Sequence, residues 1–179
     1  SRIFENQTKD DFAIINYDDP AVKKMSGSLK SQIIFFSRKE KLEKGIYIED
    51  GIIKYADSSC TRDIISREEV FLKGGHNLEN VMATIGLCIA AGIDQEVMKR
   101  VLREFRGVEH RLELVDCIDG VEFINDSKGT NTDSSIKALE AYDHDVILIA
   151  GGYDKKAEFG DFVKMFSGRV KHAIFMGAT

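Results

Sequence analysis

The sequence predicts an α/β chain in two parts: β-hairpins with two helices over residues 1–107, then a parallel sheet with flanking helices over residues 108–179. Three observations carry that expectation. Asp50-Gly51 and Asp119-Gly120 each join short apolar runs, as in tight hairpins whose turn needs positive φ. Residues 77–91 are almost continuously apolar, and 94–105 follow with helical spacing. Beyond residue 133, apolar strand-like runs alternate with helix-like ones. Strands without polar alternation belong to a parallel sheet covered on both faces.

In chain order, "DFAIIN" (11–16) reads as a short buried strand that "YDDP" breaks. "SQIIFF" (31–36) is a second strand, "GIYIEDGIIKY" (45–55) a hairpin and "TRDIIS" (61–66) a further strand. The apolar segment 77–91 reads as a buried helix, with Asn77 suited to its N-cap and Gly92 to its C-terminal cap. In "DQEVMKRVLREF" (94–105), Val97, Val101, Leu102 and Phe105 predict the apolar face of an amphipathic helix. The rhythm changes after Gly107, which places a boundary at 107–109. "RLELVDCI" and "VEFIN" then form a hairpin, a helix covers about 133–142, and "DVILIAGG" is a strand. A helix over "FGDFVKMFSG" leads to the strand "HAIFMG".

Composition narrows the function. The chain has 179 residues, 43% hydrophobic and 31% charged, with a formal net charge of −5. That describes a globular protein with a sizeable core, and no Lys/Arg run suggests nucleic acid or an anionic membrane as partner. No stretch approaches the ~20 apolar residues of a membrane span. Cys60, Cys88 and Cys117 are odd in number and lack metal-ligand spacing, so reduced thiols in the cytoplasm are expected. The chain opens at Ser1 and closes on strand-like residues, as expected of a piece of a longer protein.

Polar clusters fall at two predicted strand ends, where parallel sheets bind ligands. "NDSKGTN" (125–131) follows "VEFI", and "GGYDK" (151–155) follows "VILIA". One of Thr130, Asn131 and Thr132 is expected to cap the next helix, and Gly151-Gly152 to make a tight turn. Each cluster also carries a lysine, so the pair points to an anion site. In "GGHNLEN" (74–80), Asn77 and Asn80 are i, i+3 neighbours, and carboxamides offer the donor and acceptor that an adenine edge needs. His76 reads as a turn residue rather than a metal ligand. Arg111, in "EHRLE" at the boundary, has the fork that clamps phosphate. Neither a dinucleotide fingerprint nor a phosphate loop occurs.

The order "NYDDP", "GGHNLEN", "GVEHRLE", "NDSKGTN", "GGYDK" resembles the Mur ligase family, and "DSKGTN" resembles its D-glutamate-adding branch. The likeness runs over the whole chain but covers only part of such an enzyme. It implies that 1–107 is the later part of a central ATP-binding domain and 108–179 the first half of a Rossmann-like C-terminal domain. It implies an ATP-dependent amide ligase of peptidoglycan synthesis that joins D-glutamate to UDP-N-acetylmuramoyl-L-alanine through an acyl phosphate. Asn77, Asn80, Arg111 and Asp126 would then bind ATP, with the asparagines on adenine and Asp126 on the ribose. Lys128, Thr130 and Lys155 would receive the carboxylates of D-glutamate. The family's phosphate loop, Mg2+ ligands, modified lysine and uridine-binding domain have no counterpart in the sequence, so no catalytic or metal residue is assigned. The complete enzyme is expected to be a cytoplasmic monomer, and this piece alone to be inactive and prone to self-association. Two rival readings remain: a folylpolyglutamate-synthase-like ligase, against which Lys128 argues, and a binding module without chemistry.

Overall fold

The computed structural model describes residues 2–72, 74–153 and 156–178. They form two compact units, Ser1–Phe105 and Arg106–Thr179.

The first unit is built on strands β1 (Phe12–Asn16), β2 (Gln32–Ser37), β3 (Gly45–Glu49), β4 (Ile52–Ala56) and β5 (Thr61–Ser66). They pair in chain order in one sheet; β1, β2 and β3 run parallel, and β3, β4 and β5 antiparallel. At the β3–β4 turn, Asp50 and Gly51 have φ of 52° and 74°, the doubly positive geometry expected of a type I′ hairpin. "YDDP" does more than end β1. Asp19 Oδ1 accepts the N–H groups of Ala21 and Val22, and Pro20 fills the first position of helix α1 (Pro20–Ser26). Apolar periodicity gives no hint of α1 because it buries only Ser26.

Helix α2 (Gly75–Ala90) covers one face of the sheet. Leu78, Val81, Met82 and Ile85 pack against Ile34, Phe36, Ile46 and Ile53, the i, i+3, i+4, i+7 stripe of a half-buried helix. Asn77 is not its N-cap: the helix begins two residues earlier, and Gly74, with φ of 90°, holds the cap position without a side-chain bond. The C-terminal end matches expectation. Gly92 takes φ of 68°, its N–H donates to the Ile89 carbonyl, and the Ile93 N–H donates to the Cys88 carbonyl, a Schellman closure.

Helix α3 (Gln95–Glu104) corrects the sequence reading. It buries Met98 and packs Leu102 against the core, whereas Val97, Val101 and Phe105 are 40%, 51% and 45% exposed. Two apolar stripes lie about 100° apart on this helix, and only one can face α2. The rotation is fixed from outside the core: Gln95 Nε2 donates to the Asp63 carbonyl and Arg103 Nε to Glu69 Oε2.

The second unit begins with the hairpin β6 (Glu113–Ile118) and β7 (Val121–Asn125), turning at Asp119 and Gly120 with φ of 51° and 80°. Helix α4 (Thr132–Leu139), strand β8 (Val146–Gly152), helix α5 (Gly160–Lys164) and strand β9 (Val170–Gly177) follow. β8 and β9 pair in parallel as expected, but β7 has no ladder to β8 among the described residues. Among the described residues, the covering expected on both faces is present on one only. Burial alternates along β8, and Ile147 and Ile149 are 58% and 64% exposed. Two short helices can blanket one side of a two-stranded sheet, so the outward apolar residues of β8 stay open. Leu139 and Phe162 are the buried hydrophobic residues of this unit among those described.

Candidate functional site

The residues singled out by the sequence fall into two groups, one in each unit. In the first unit, Asn77 and Asn80 lie in the first two turns of α2. Asn80 is exposed, and its carboxamide makes no hydrogen bond among the described residues. Between them, Glu79 accepts from Arg38 Nε at 3.1 Å. Arg38 lies just past the carboxyl end of β2, and its guanidinium rests on Gly75, where an added Cβ would come within 3.1 Å of Cζ. The open cleft of about 420 Å³ framed by Arg2, Phe4, Gln7, Ser28 and Lys30 lies at the other end of β1 and β2, beside their amino ends. That is the wrong edge of a parallel sheet for this chemistry.

In the second unit, "NDSKGTN" folds back on "EHRLE". Asp126 Oδ1 accepts the Leu112 N–H at 3.0 Å, and the Lys128 N–H donates to the His110 carbonyl at 2.9 Å. Glu113 and Asn125 are cross-strand partners in the β6–β7 ladder. Glu113 Oε2 accepts the His110 N–H at 2.7 Å, and Asn125 Nδ2 lies 2.9 Å from His110 Nδ1. His110 and Leu112, on either side of Arg111, take φ of 68° and 45°. Each such non-glycine residue costs about 1–2 kcal/mol, and these hydrogen bonds hold the pair there. Sequence reasoning missed Glu113, Asn125 and His110. The register hid the pair: a regular hairpin turning at Asp119-Gly120 would set residue 113 opposite residue 126, and an irregularity between Leu114 and Asp116 moves it opposite Asn125.

The surplus of polar groups in 125–131 now divides. Asn131 is the N-cap of α4, with Oδ1 accepting the Ser134 N–H at 2.8 Å and its own N–H donating to Ser134 Oγ. Asn125 Oδ1 accepts the Ser127 N–H. Asp126 holds the loop through Oδ1, and its charge helps push the half-buried Tyr142 phenol up, behind burial and Glu122. Lys128 and Thr130 are exposed on the same turn. The side chains of Arg111 and Lys128 make no ion pair among the described residues, so both cations are available to an anion. Lys155 and Asp154 lie outside the described residues.

Gly151 and Gly152 do not make the expected tight turn but end strand β8, paired with Met176 and Gly177. A Cβ at Gly129 would collide with the Asp126 carboxylate, and one at Gly151 with the Met176 carbonyl of β9. Both positions serve close approach within the chain. An added Cβ at Gly152 would meet nothing within 4 Å.

Two family models match this chain: the Mur ligase middle domain over residues 1–88 and the Mur ligase, glutamate ligase domain over residues 110–179. The UDP-N-acetylmuramoylalanine--D-glutamate ligase of Thermoanaerobacter sp. (strain X514) is 48% identical over 178 residues, 99% of this chain and 39% of that protein. The enzymes of that name from Alkaliphilus oremlandii and Clostridioides difficile are 45% and 44% identical, again over 99% and 100% of this chain. The chain thus spans about 39% of the length of these curated relatives. Among solved structures, MurF from Acinetobacter baumannii matches with a TM-score of 0.69 at 16% identity, over 98% of this chain and 41% of that one. MurF ligase from Thermotoga maritima in complex with ADP matches with a TM-score of 0.64, over 98% and 46%. At that identity the likeness concerns the fold alone.

Proposed function

Because the chain belongs to the Mur ligase family, we propose that it is part of the ATP-dependent ligase that adds D-glutamate to UDP-N-acetylmuramoyl-L-alanine in the cytoplasm. In this reading residues 1–107 are the later part of the central ATP-binding domain, and 108–179 the first half of the C-terminal domain. The observation that carries it is the turn 125–131, which couples a loop-holding aspartate to two exposed groups suited to carboxylates. The named relatives support the same reaction.

Asn77 and Asn80 present carboxamides to adenine, Asp126 offers Oδ2 to the ribose hydroxyls, and Arg111 contacts phosphate. Lys128, Thr130 and Lys155 receive the two carboxylates of D-glutamate, charge-assisted bonds of ~1.5–3 kcal/mol each. In the reaction, the acceptor carboxylate attacks the γ-phosphorus and ADP leaves. The neutral amine of D-glutamate then attacks the acyl carbon and phosphate leaves. Cations that hold the carboxylates orient that amine without engaging its lone pair. Mg2+ supplies charge neutralisation in such phosphoryl transfers. Among the described residues no cluster of three or more His, Cys, Asp or Glu could hold a metal ion. We expect the 179-residue chain alone to be inactive.

The reading is tested by substrate choice in the complete ligase. ADP formation with UDP-N-acetylmuramoyl-L-alanine should require D-glutamate and fall by at least 100-fold with L-glutamate or D-alanine. Turnover with L-glutamate and a folate acceptor would place the chain with the polyglutamylating ligases instead.

A further inference from the structure

"NYDDP" has no part in the ligand contacts above, yet its central aspartate reaches across the sheet. Asp18 Oδ1 accepts from Ser37 Oγ at 2.5 Å, and Oδ2 accepts the Arg38 N–H at 2.8 Å. Ser37 is fully buried, and its Oγ in turn accepts the N–H groups of Lys39 and Glu40. One carboxylate from the end of β1 therefore fixes the chain leaving β2 at the residue where Arg38 departs. From there the guanidinium crosses Gly75 and reaches Glu79, between Asn77 and Asn80. This first turn of α2 has no side-chain cap at Gly74, so Arg38 is a tether from outside the helix.

A cation at a helix N-terminus opposes the helix dipole, and a half-exposed ion pair adds little to stability. The arrangement is thus poorly suited to stabilising the helix and well suited to setting its position. We propose that Arg38 is a positioning residue for base recognition: Asp18 and Ser37 aim it, and its clamp over Gly75 onto Glu79 sets the turn that presents Asn77 and Asn80. This rests on the adenine reading of those asparagines.

The probe is adenosine, which carries no phosphate, with inosine as the control that replaces the 6-amino group by an oxo group. Binding to the 15N-labelled chain is followed at the Asn77 and Asn80 side-chain amides. Arg38→Ala is expected to weaken adenosine binding at least fivefold and to bring the adenosine-to-inosine ratio close to one. The Met82 and Ile85 methyl resonances should stay in place. The exchanged pair Arg38→Glu with Glu79→Arg should recover at least half of the ratio that each single change loses. An affinity and ratio within twofold of the unaltered chain in Arg38→Ala would overturn the proposal. If the unaltered chain fails to bind adenosine, the adenine reading itself fails, and amide exchange at Leu78, Glu79 and Asn80 decides the clamp. Exchange at least tenfold faster in Arg38→Ala upholds it, and unchanged exchange overturns it.

Discussion

Gly151→Ala should unfold the second unit while leaving the first intact. The added methyl would occupy the space of the Met176 carbonyl, one pair from the carboxyl end of a parallel ladder that runs from Val146↔Val170 to Gly152↔Gly177. Gly151 also sits at φ of 145°, where L-residues are strained. Strain of ~1–3 kcal/mol adds to overpacking of ~1–3 kcal/mol. The unit buries few hydrophobic side chains, so a loss of roughly 2–6 kcal/mol is comparable with the total stability of a small domain. Calorimetry should show the second unit's transition lost and the first unit's within about 1 °C of its original Tm. A shift below about 1 kcal/mol in the second unit would mean that β8 and β9 are not packed this closely.

Gly129→Ala should act on the site rather than the scaffold. Gly129 closes the turn through its N–H on the Asp126 carbonyl at 2.7 Å, and a Cβ there would meet the Asp126 carboxylate. The carboxylate must then swing away from the Leu112 N–H, releasing the strained loop that carries Arg111. Two proposed nucleotide contacts are lost through one methyl group. In the complete ligase the KM for ATP should increase at least tenfold, and the second unit should lose ~1–3 kcal/mol. Ser127→Ala, on the exposed side of the same turn, should leave both within twofold. Equal effects of the two changes would show that the Asp126 contact is not the one that matters.

Much of the architecture was legible in the sequence because local rules specify it. Asp50-Gly51, Asp119-Gly120 and Gly92 each require positive φ, and only hairpin turns or a helix end use it there. What was illegible depended on tertiary choice. Nothing local decides whether α3 turns Met98 or Val97 inward, because both stripes are apolar. Helix α1 is hidden because it buries almost nothing, and "YDDP" alone does not separate a strand end from a helix start. At the site, the residue types were readable and their division of labour was not. Asn131 and Asn125 are structural, Gly129 and Gly151 admit neighbouring chain atoms, and Glu113 gains its role only through a cross-strand register.

The central claim is that one turn, 125–131, serves nucleotide and amino acid through different side chains. The most direct test is the pair of KM values in the complete ligase for Lys128→Ala, Thr130→Ala, Lys155→Ala, Asn80→Ala and Asp126→Ala. The first three should raise the KM for D-glutamate at least tenfold with that for ATP within threefold, and the last two should do the reverse. Changes of similar size in both KM values for all five variants would contradict it.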